Sequence, residues 1–199
     1  MFFARRPSLQ AIERFGARAR ELPLSYSPIG IAQDPTEANT KGYDIDGRVV
    51  RIGNGLACFD RAKAALAAWK HFDLGWVEVF PRNASLDSGT VVTILVRHLG
   101  FWSLNGCRVV YGLGDRVTNF GFAYGTLVRH AESGEEIFEV RLHPESDEVT
   151  YRIRAVSRPR AMIARLGYPM VRVLQGRFRR DSAEAMRRAI GGAGYAAEK

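Results

Sequence analysis

The sequence predicts an α+β fold in which a curved antiparallel sheet of about six strands grips a long C-terminal helix. Three observations carry that expectation. Six stretches rich in β-branched and aromatic residues follow one another between Leu74 and Val156, separated by Gly, Pro, Asn, Asp and Ser. Strands joined by such short connections are antiparallel neighbours, because a parallel pair needs a crossover of about a dozen residues. After them Ile163, Leu166, Met170, Leu174, Phe178, Ala185 and Ala189 recur at helical steps, with Arg165, Arg172, Arg179 and Arg187 on the opposite side. Helical patterns also precede the strands, and this segregation marks α+β rather than alternating βα units.

Taken in order, Pro7–Leu22 reads as a short amphipathic helix, with Ser8 as its cap and Leu9, Ile12, Phe15 and Ala19 at helical spacing. Pro23 stops it. From Ser25 to Lys41 the composition turns to Ser, Pro, Gly, Asp, Asn and Thr, an irregular connector. Asp46-Gly47 reads as a hairpin turn before a strand from Arg48 to Ile52. Gly53-Asn54-Gly55 lacks both a third glycine and a following Gly-Lys-Ser/Thr, so it reads as a turn and not a phosphate loop. A helix follows over Leu56–Phe72, where Phe59, Ala62, Leu66 and Trp69 form the apolar stripe. The strands are expected at Leu74–Phe80, Thr90–Leu99, Cys107–Leu113, Asn119–Val128, Glu135–Leu142 and Val149–Val156. Ser157-Arg158-Pro159 then reads as the start of the last helix, with a kink at Gly167-Tyr168-Pro169, a stop at Gly191-Gly192 and a frayed tail to Lys199. The whole, 1–199, is read as one domain: helix and connector to residue 45, helix and meander over 46–156, C-terminal helix over 157–190.

With 46% hydrophobic residues the chain can bury a real core, and no apolar run approaches the roughly 20 residues of a membrane helix. The opening Met1-Phe2-Phe3-Ala4-Arg5-Arg6 lacks the order of a secretory signal, so the expected location is cytoplasmic. Cys58 and Cys107 then read as free thiols. The net charge of +8 is concentrated: eleven arginines between Arg152 and Arg188 face only Asp181 and Glu184. Such a stripe either meets an anionic partner, nucleic acid included, or is a solvated helix face. Exposed aromatics, which single-strand binding requires, are scarce along it.

Several segments stand in a familiar order: Leu74-Gly75-Trp76, Arg97-His98-Leu99-Gly100, Cys107 to Tyr111, Phe120 to Leu127, Gly134-Glu135-Glu136, Ser157-Arg158-Pro159, and Gln175 through Phe178 to Met186. Together they resemble uncharacterised protein family 0548, a bacterial and plant family whose members carry a domain of unknown function. The resemblance spans about Ile52 to Ala189 and implies a START-like, pollen-allergen-like helix-grip fold, a sheet gripping a C-terminal helix over an apolar cavity. It implies no activity. Thr150 and Arg152 stand where the resemblance would place tryptophan and an acidic residue.

A sheet closed by one helix leaves room beneath it unless large side chains fill the space, and ligand cavities run to roughly 300–1,000 Å³. Strand parity proposes the lining. Phe122, Tyr124 and Thr126 share a face, matched by Glu136, Phe138 and Val140 on the next strand, with Glu135, Glu139 and Arg141 outward. The expected turn is a five-residue loop, Ala131 to Glu135, closed by His130 opposite Glu136. That pair would serve proton transfer or hold a polar ligand group, or simply steady the hairpin. His98 follows Val92, Ile94 and Val96 on one strand face, as a core histidine or a site group. Trp76, Glu78 and Phe80 share another face; Glu78 is a buried carboxylate or half of an ion pair with Arg108 or Arg158. Arg158, placed at a helix start, points to an anionic partner. Tyr111, Tyr124 and Tyr151 offer hydroxyls to a cavity or to backbone. The four histidines have no metal-ligand spacing and no cofactor motif is present.

The expected function is binding of a hydrophobic small molecule or lipid between sheet and helix. The alternatives are a hydratase, cyclase or lyase using Glu78, His98, His130 or Glu136, and a module docking nucleic acid or protein through Arg165, Arg172 and Arg179.

Overall fold

Side chains of the sheet alternate between a concave face packed by helices and a convex face covered by the N-terminal part of the chain, as the two-residue period of a strand requires. The structure is a computed structural model and describes residues 1–98, 100–159 and 168–191. In chain order the elements are β1 (Phe2–Phe3), α1 (Leu9–Ala19), α2 (Glu37–Thr40), β2 (Asp44–Asn54), α3 (Leu56–Ala67), a 3₁₀ turn (Lys70–Phe72), β3 (Val77–Phe80), β4 (Val91–His98), β5 (Phe101–Leu113), β6 (Asn119–Thr126), β7 (Glu132–His143), β8 (Glu148–Pro159) and α4 (Tyr168–Ala189). Among the described residues eight strands form one sheet in the order β2-β8-β7-β6-β5-β4-β3, with β1 laid against β5. The six-strand antiparallel meander is present, and β1 and β2 extend it.

The concave face carries the main core. From α3 come Phe59, Ala62 and Leu66; from α4, Ala183 and Met186; from the strands, Phe122, Phe138, Tyr151 and Ile153. Burying each large apolar side chain contributes about 1.5–3 kcal/mol. The expected helix to Phe72 stops earlier. Trp69 takes a left-handed φ of 56°, its Nε1–H donates to the Ala84 carbonyl at 2.9 Å, and the 3₁₀ turn swings His71 and Phe72 into the core. On the convex face α1, capped by Ser8, buries Ile12 against Leu95 and Leu104, while the connector buries Ile31 and Ala32 against Ala123, Ile137 and Val156.

Three local expectations are corrected. Asp46-Gly47 is not a turn: β2 runs straight through it, with Gly47 paired to Arg154, because its partner is β8 and not a neighbouring hairpin arm. Ser157-Arg158-Pro159 does not start a helix; β7 begins early enough to pair Glu132 with Pro159, so β8 stays extended to its end. The β6–β7 register also differs, with Tyr124 opposite Glu136 and Phe122 opposite Phe138. The connector captures the end of β6 through the Ser25 amide to the Thr126 carbonyl and the Val128 amide to the Pro23 carbonyl, and Thr126 Oγ1 spans to Gly134. The shift is even, so the facing residues keep their parity.

The expected helical residues Ile163, Arg165 and Leu166, Gly167 of the expected kink, Leu99 and the tail after Gly191 lie outside the described residues, while Tyr168 and Pro169 open α4. Among those described, no helix is long and apolar enough to cross a membrane.

Candidate functional site

The concave face is filled at one end and open at the other. Phe122, Phe138 and Tyr151 belong to the packed half, where the Tyr151 hydroxyl meets Ser182 Oγ at 2.9 Å. Beyond them the residues facing inward become small: Gly134 on β7, and Ala155 and Ser157 on β8, flank Glu136. The result is a pocket of about 830 Å³ between the β3–β8 surface and α4. Its apolar wall comes from Phe72, Trp76, Val77, Ile94, Val96, Leu174 and Phe178. Phe72 stands between Tyr124 and Phe178, with ring centroids 6.2 and 5.1 Å away.

Polar groups gather at the β6–β7 side. Glu136 receives the Tyr124 O–H at Oε2, 2.7 Å away, and keeps part of its surface open to the pocket. Burial pushes its carboxyl up to about 7, against the hydrogen bond from Tyr124, which pulls it down. Glu132, raised by the same cause, accepts from Gln175 Nε2 at 2.9 Å. Arg179 lies 3.5 Å from Asp46 Oδ1, and Arg172 grips the same carboxylate with both terminal nitrogens. His130 is held neutral by burial, which lowers it to about 4; its Nδ1 accepts from the Glu132 amide at 3.0 Å, so the proton sits on Nε2. At the far wall His98 Nε2 lies 3.3 Å from Ser103 Oγ, and burial lowers its pKa.

Of the residues proposed from sequence, Trp76, His98, Tyr124, His130 and Glu136 line this pocket. His130 does not face Glu136 across the hairpin, since Tyr124 occupies that register position. Phe122, Phe138 and Tyr151 lie in the adjoining core and not on the pocket wall. Glu78 points to the other face, where Arg6 and Arg82 bind its carboxylate at 3.0 and 2.9 Å; β3 starts only at Val77, so Trp76 falls outside its alternation. Tyr111 is turned outward by a bulge between Val109 and Tyr111, and its hydroxyl donates to Glu135. Arg158 lies over the Tyr43 ring, 4.4 Å from its centroid. Arg165 lies outside the described residues. Arg172 and Arg179, read as part of a stripe that is either solvated or meets an anionic partner, are turned toward Asp46 instead.

Sequence reasoning missed Asp46, Glu132, Gln175 and the wall residues Phe72 and Phe178. A signal for part of this existed: Arg172, Gln175 and Arg179 stand at i, i+3 and i+7 on one helix face, with Gln175 bordering the apolar stripe next to Phe178. Asp46 carried none, because its partner lies more than a hundred residues away.

Comparison with known proteins agrees with this architecture. The chain is 34% identical to a UPF0548 protein of Dictyostelium discoideum, with 96% of each covered. It is 36% identical to a UPF0548 protein of Deinococcus radiodurans, covering 96% of this chain and all of that one. Among solved structures it resembles hypothetical protein jhp0584 of Helicobacter pylori (TM-score 0.52, 10% identity, 83% of this chain and 96% of that one). It also resembles the di-domain ARO/CYC BexL of the BE-7585A biosynthetic pathway (TM-score 0.51, 17% identity, 78% of this chain and 52% of that one). At these identities the structural likeness concerns the fold alone, a curved antiparallel sheet with a C-terminal helix. Residues 25–185 match the sequence pattern of DUF1990, a domain of unknown function, and the chain belongs to the UPF0548 family that carries it.

Proposed function

We propose that the protein binds a hydrophobic small molecule or lipid in the pocket between its sheet and α4. The observation that carries this reading is the pocket itself: about 830 Å³, walled by Phe72, Trp76, Ile94, Val96, Leu174 and Phe178, with most of its polar groups gathered at the β6–β7 side. That volume and that division between apolar wall and converging polar groups suit an orienting ligand site. Trp76 supplies an intrinsic reporter. Titration with an apolar fluorescent dye should change Trp76 emission and saturate, and native mass spectrometry should show one ligand per chain. Ala155→Phe, which places a ring over Glu136, should abolish the response while leaving the circular-dichroism spectrum intact. A dye response that survives this substitution places binding elsewhere and defeats the reading.

One observation favours a second reading, proton-transfer catalysis on the bound molecule. A carboxyl held near 7 is matched to acid and base work at neutral pH, and Glu136 has an apolar wall and a tyrosine hydroxyl beside it. The arginine-stripe reading loses support, because Arg172 and Arg179 engage Asp46 within the fold.

A further inference from the structure

Among the described residues Glu136, which lines the pocket, has no ion-pair partner, and Arg179 offsets its charge only from a distance. Its hydrogen-bond partner is the neutral Tyr124 hydroxyl at 2.7 Å. The cations nearby are engaged, Arg172 and Arg179 with Asp46. Among the described residues, with Glu136 ionised, Glu132, Glu136 and Asp46 set three carboxylates against these two guanidiniums. Beside Glu136 stand the ring of Tyr124, that of Phe72 packed against it, and that of Phe178 against Phe72, whose faces attract cations.

Resting on the pocket reading above, we propose that the site selects hydrophobic molecules that carry a basic nitrogen, with the ammonium seated against the Glu136 carboxylate and the neighbouring aromatic rings. Such a ligand sets a countercharge directly against Glu136, which has no ion-pair partner among the described residues. An alcohol gains only a hydrogen bond there, and a fatty carboxylate brings a fourth negative charge.

The other described groups around the site do not change this sign. His130 is neutral, Arg129 is on the exposed rim, the Met1 ammonium donates to the Leu104 carbonyl, and Arg177 over Trp76 is paired with Asp181; Tyr151 and Cys107, in the adjoining core, are held protonated by burial. Glu136 itself is about half protonated near pH 7. Forming the ammonium–carboxylate pair therefore releases that proton to solvent, and below pH 7 each unit of acid weakens amine binding by up to about tenfold.

The test compares decylamine, decanol and decanoate, which share one chain, by displacement of the apolar dye between pH 5 and 8. Decylamine is expected to bind at least about tenfold more tightly than either analogue at pH 7.5. Its affinity should fall toward pH 5 while that of decanol stays level. In Glu136→Gln the ratio of decylamine to decanol affinity should collapse to near one. The wild-type pH series stands by itself should that variant fold poorly. If decanol and decanoate bind and decylamine binds no better, the amine inference is overturned and the pocket reading stands. If all three fail to displace the dye, or the dye itself fails to bind, the pocket reading falls and the inference with it.

Discussion

Tyr124 and Glu136 face each other across β6 and β7, and the tyrosine O–H donates to Glu136 Oε2 at 2.7 Å. This bond holds in place a carboxyl that burial has raised from 4.5 to about 7. The folded state thus keeps a proton that the unfolded chain surrenders between those values, so this group's contribution to stability falls as pH rises from about 4.5 to 7. Glu136→Gln removes the titration and keeps the hydrogen bond. The variant should gain about 1–2 kcal/mol over wild type at pH 8, allowing for the pocket's contact with solvent, and nothing at pH 4.5. Urea unfolding at the two pH values reads the difference; a gain equal at both would mean that Glu136 is not raised.

Asp46 is the point where β2 holds α4. Arg172 and Arg179, two turns apart on the helix, both reach its carboxylate, and Asp46 and Arg179 are each only 15% exposed. Asp46→Asn leaves two guanidiniums close together without that countercharge, which should cost about 2–4 kcal/mol. Hydrogen exchange should show the loss of protection concentrated in α4 and β2, with β6 and β7 little changed. Uniform loss across the sheet would show the pair to be no more than a general contribution to stability.

What could be read in the sequence was whatever repeats at a short period. Phe122 and Phe138 face the same way because both obey the two-residue alternation, and that survives a wrong loop, since the error in register was even. Tyr111 was misread because one bulge, invisible in composition, reverses the alternation within β5. His130 was misplaced because the end of β6 is taken by Pro23 and Ser25, a contact about a hundred residues long in sequence. Glu78 and Trp76 were grouped on a face that exists only if the strand already includes Trp76, and it starts at Val77. The pocket's small residues, Gly134 and Ala155, announce nothing alone; their meaning comes from standing beside Glu136 on adjoining strands.

Glu135 fixes the connector to the convex face. It is 2% exposed and accepts from the Tyr26 hydroxyl at 2.6 Å, the Tyr111 hydroxyl at 2.5 Å and the amides of Gly30 and Ala32 at 2.9 and 3.1 Å. Gly125 makes this possible, for a Cβ there would lie 2.4 Å from the Tyr26 hydroxyl. Tyr26→Phe and Tyr111→Phe should each cost about 1–3 kcal/mol. Because both bonds serve one carboxylate, the double variant should depart from additivity by about 0.5 kcal/mol or more. Strict additivity in chemical denaturation would show the two hydroxyls acting independently.

His71 makes the fold sensitive to acid. It is fully buried between Trp69, Phe72 and Phe138, with ring centroids 5.6, 4.7 and 4.6 Å away, and neither ring nitrogen has a hydrogen-bond partner among the described residues. Burial lowers its pKa from 6.5 to about 3. Between those values the unfolded chain takes up a proton that the folded state refuses, so stability is lost as pH falls through this window. His71→Leu, close in volume, removes both the titration and the unpaired ring nitrogens, at the expense of stacking on Trp69. At pH 7.5 the two effects should leave the variant within about 1 kcal/mol of wild type. Its relative stability should then grow steadily between pH 6.5 and 4, measured by urea midpoints at constant m-value. A relative stability that stays flat over that range would show that the imidazole is protonated within the core, and so has a partner there.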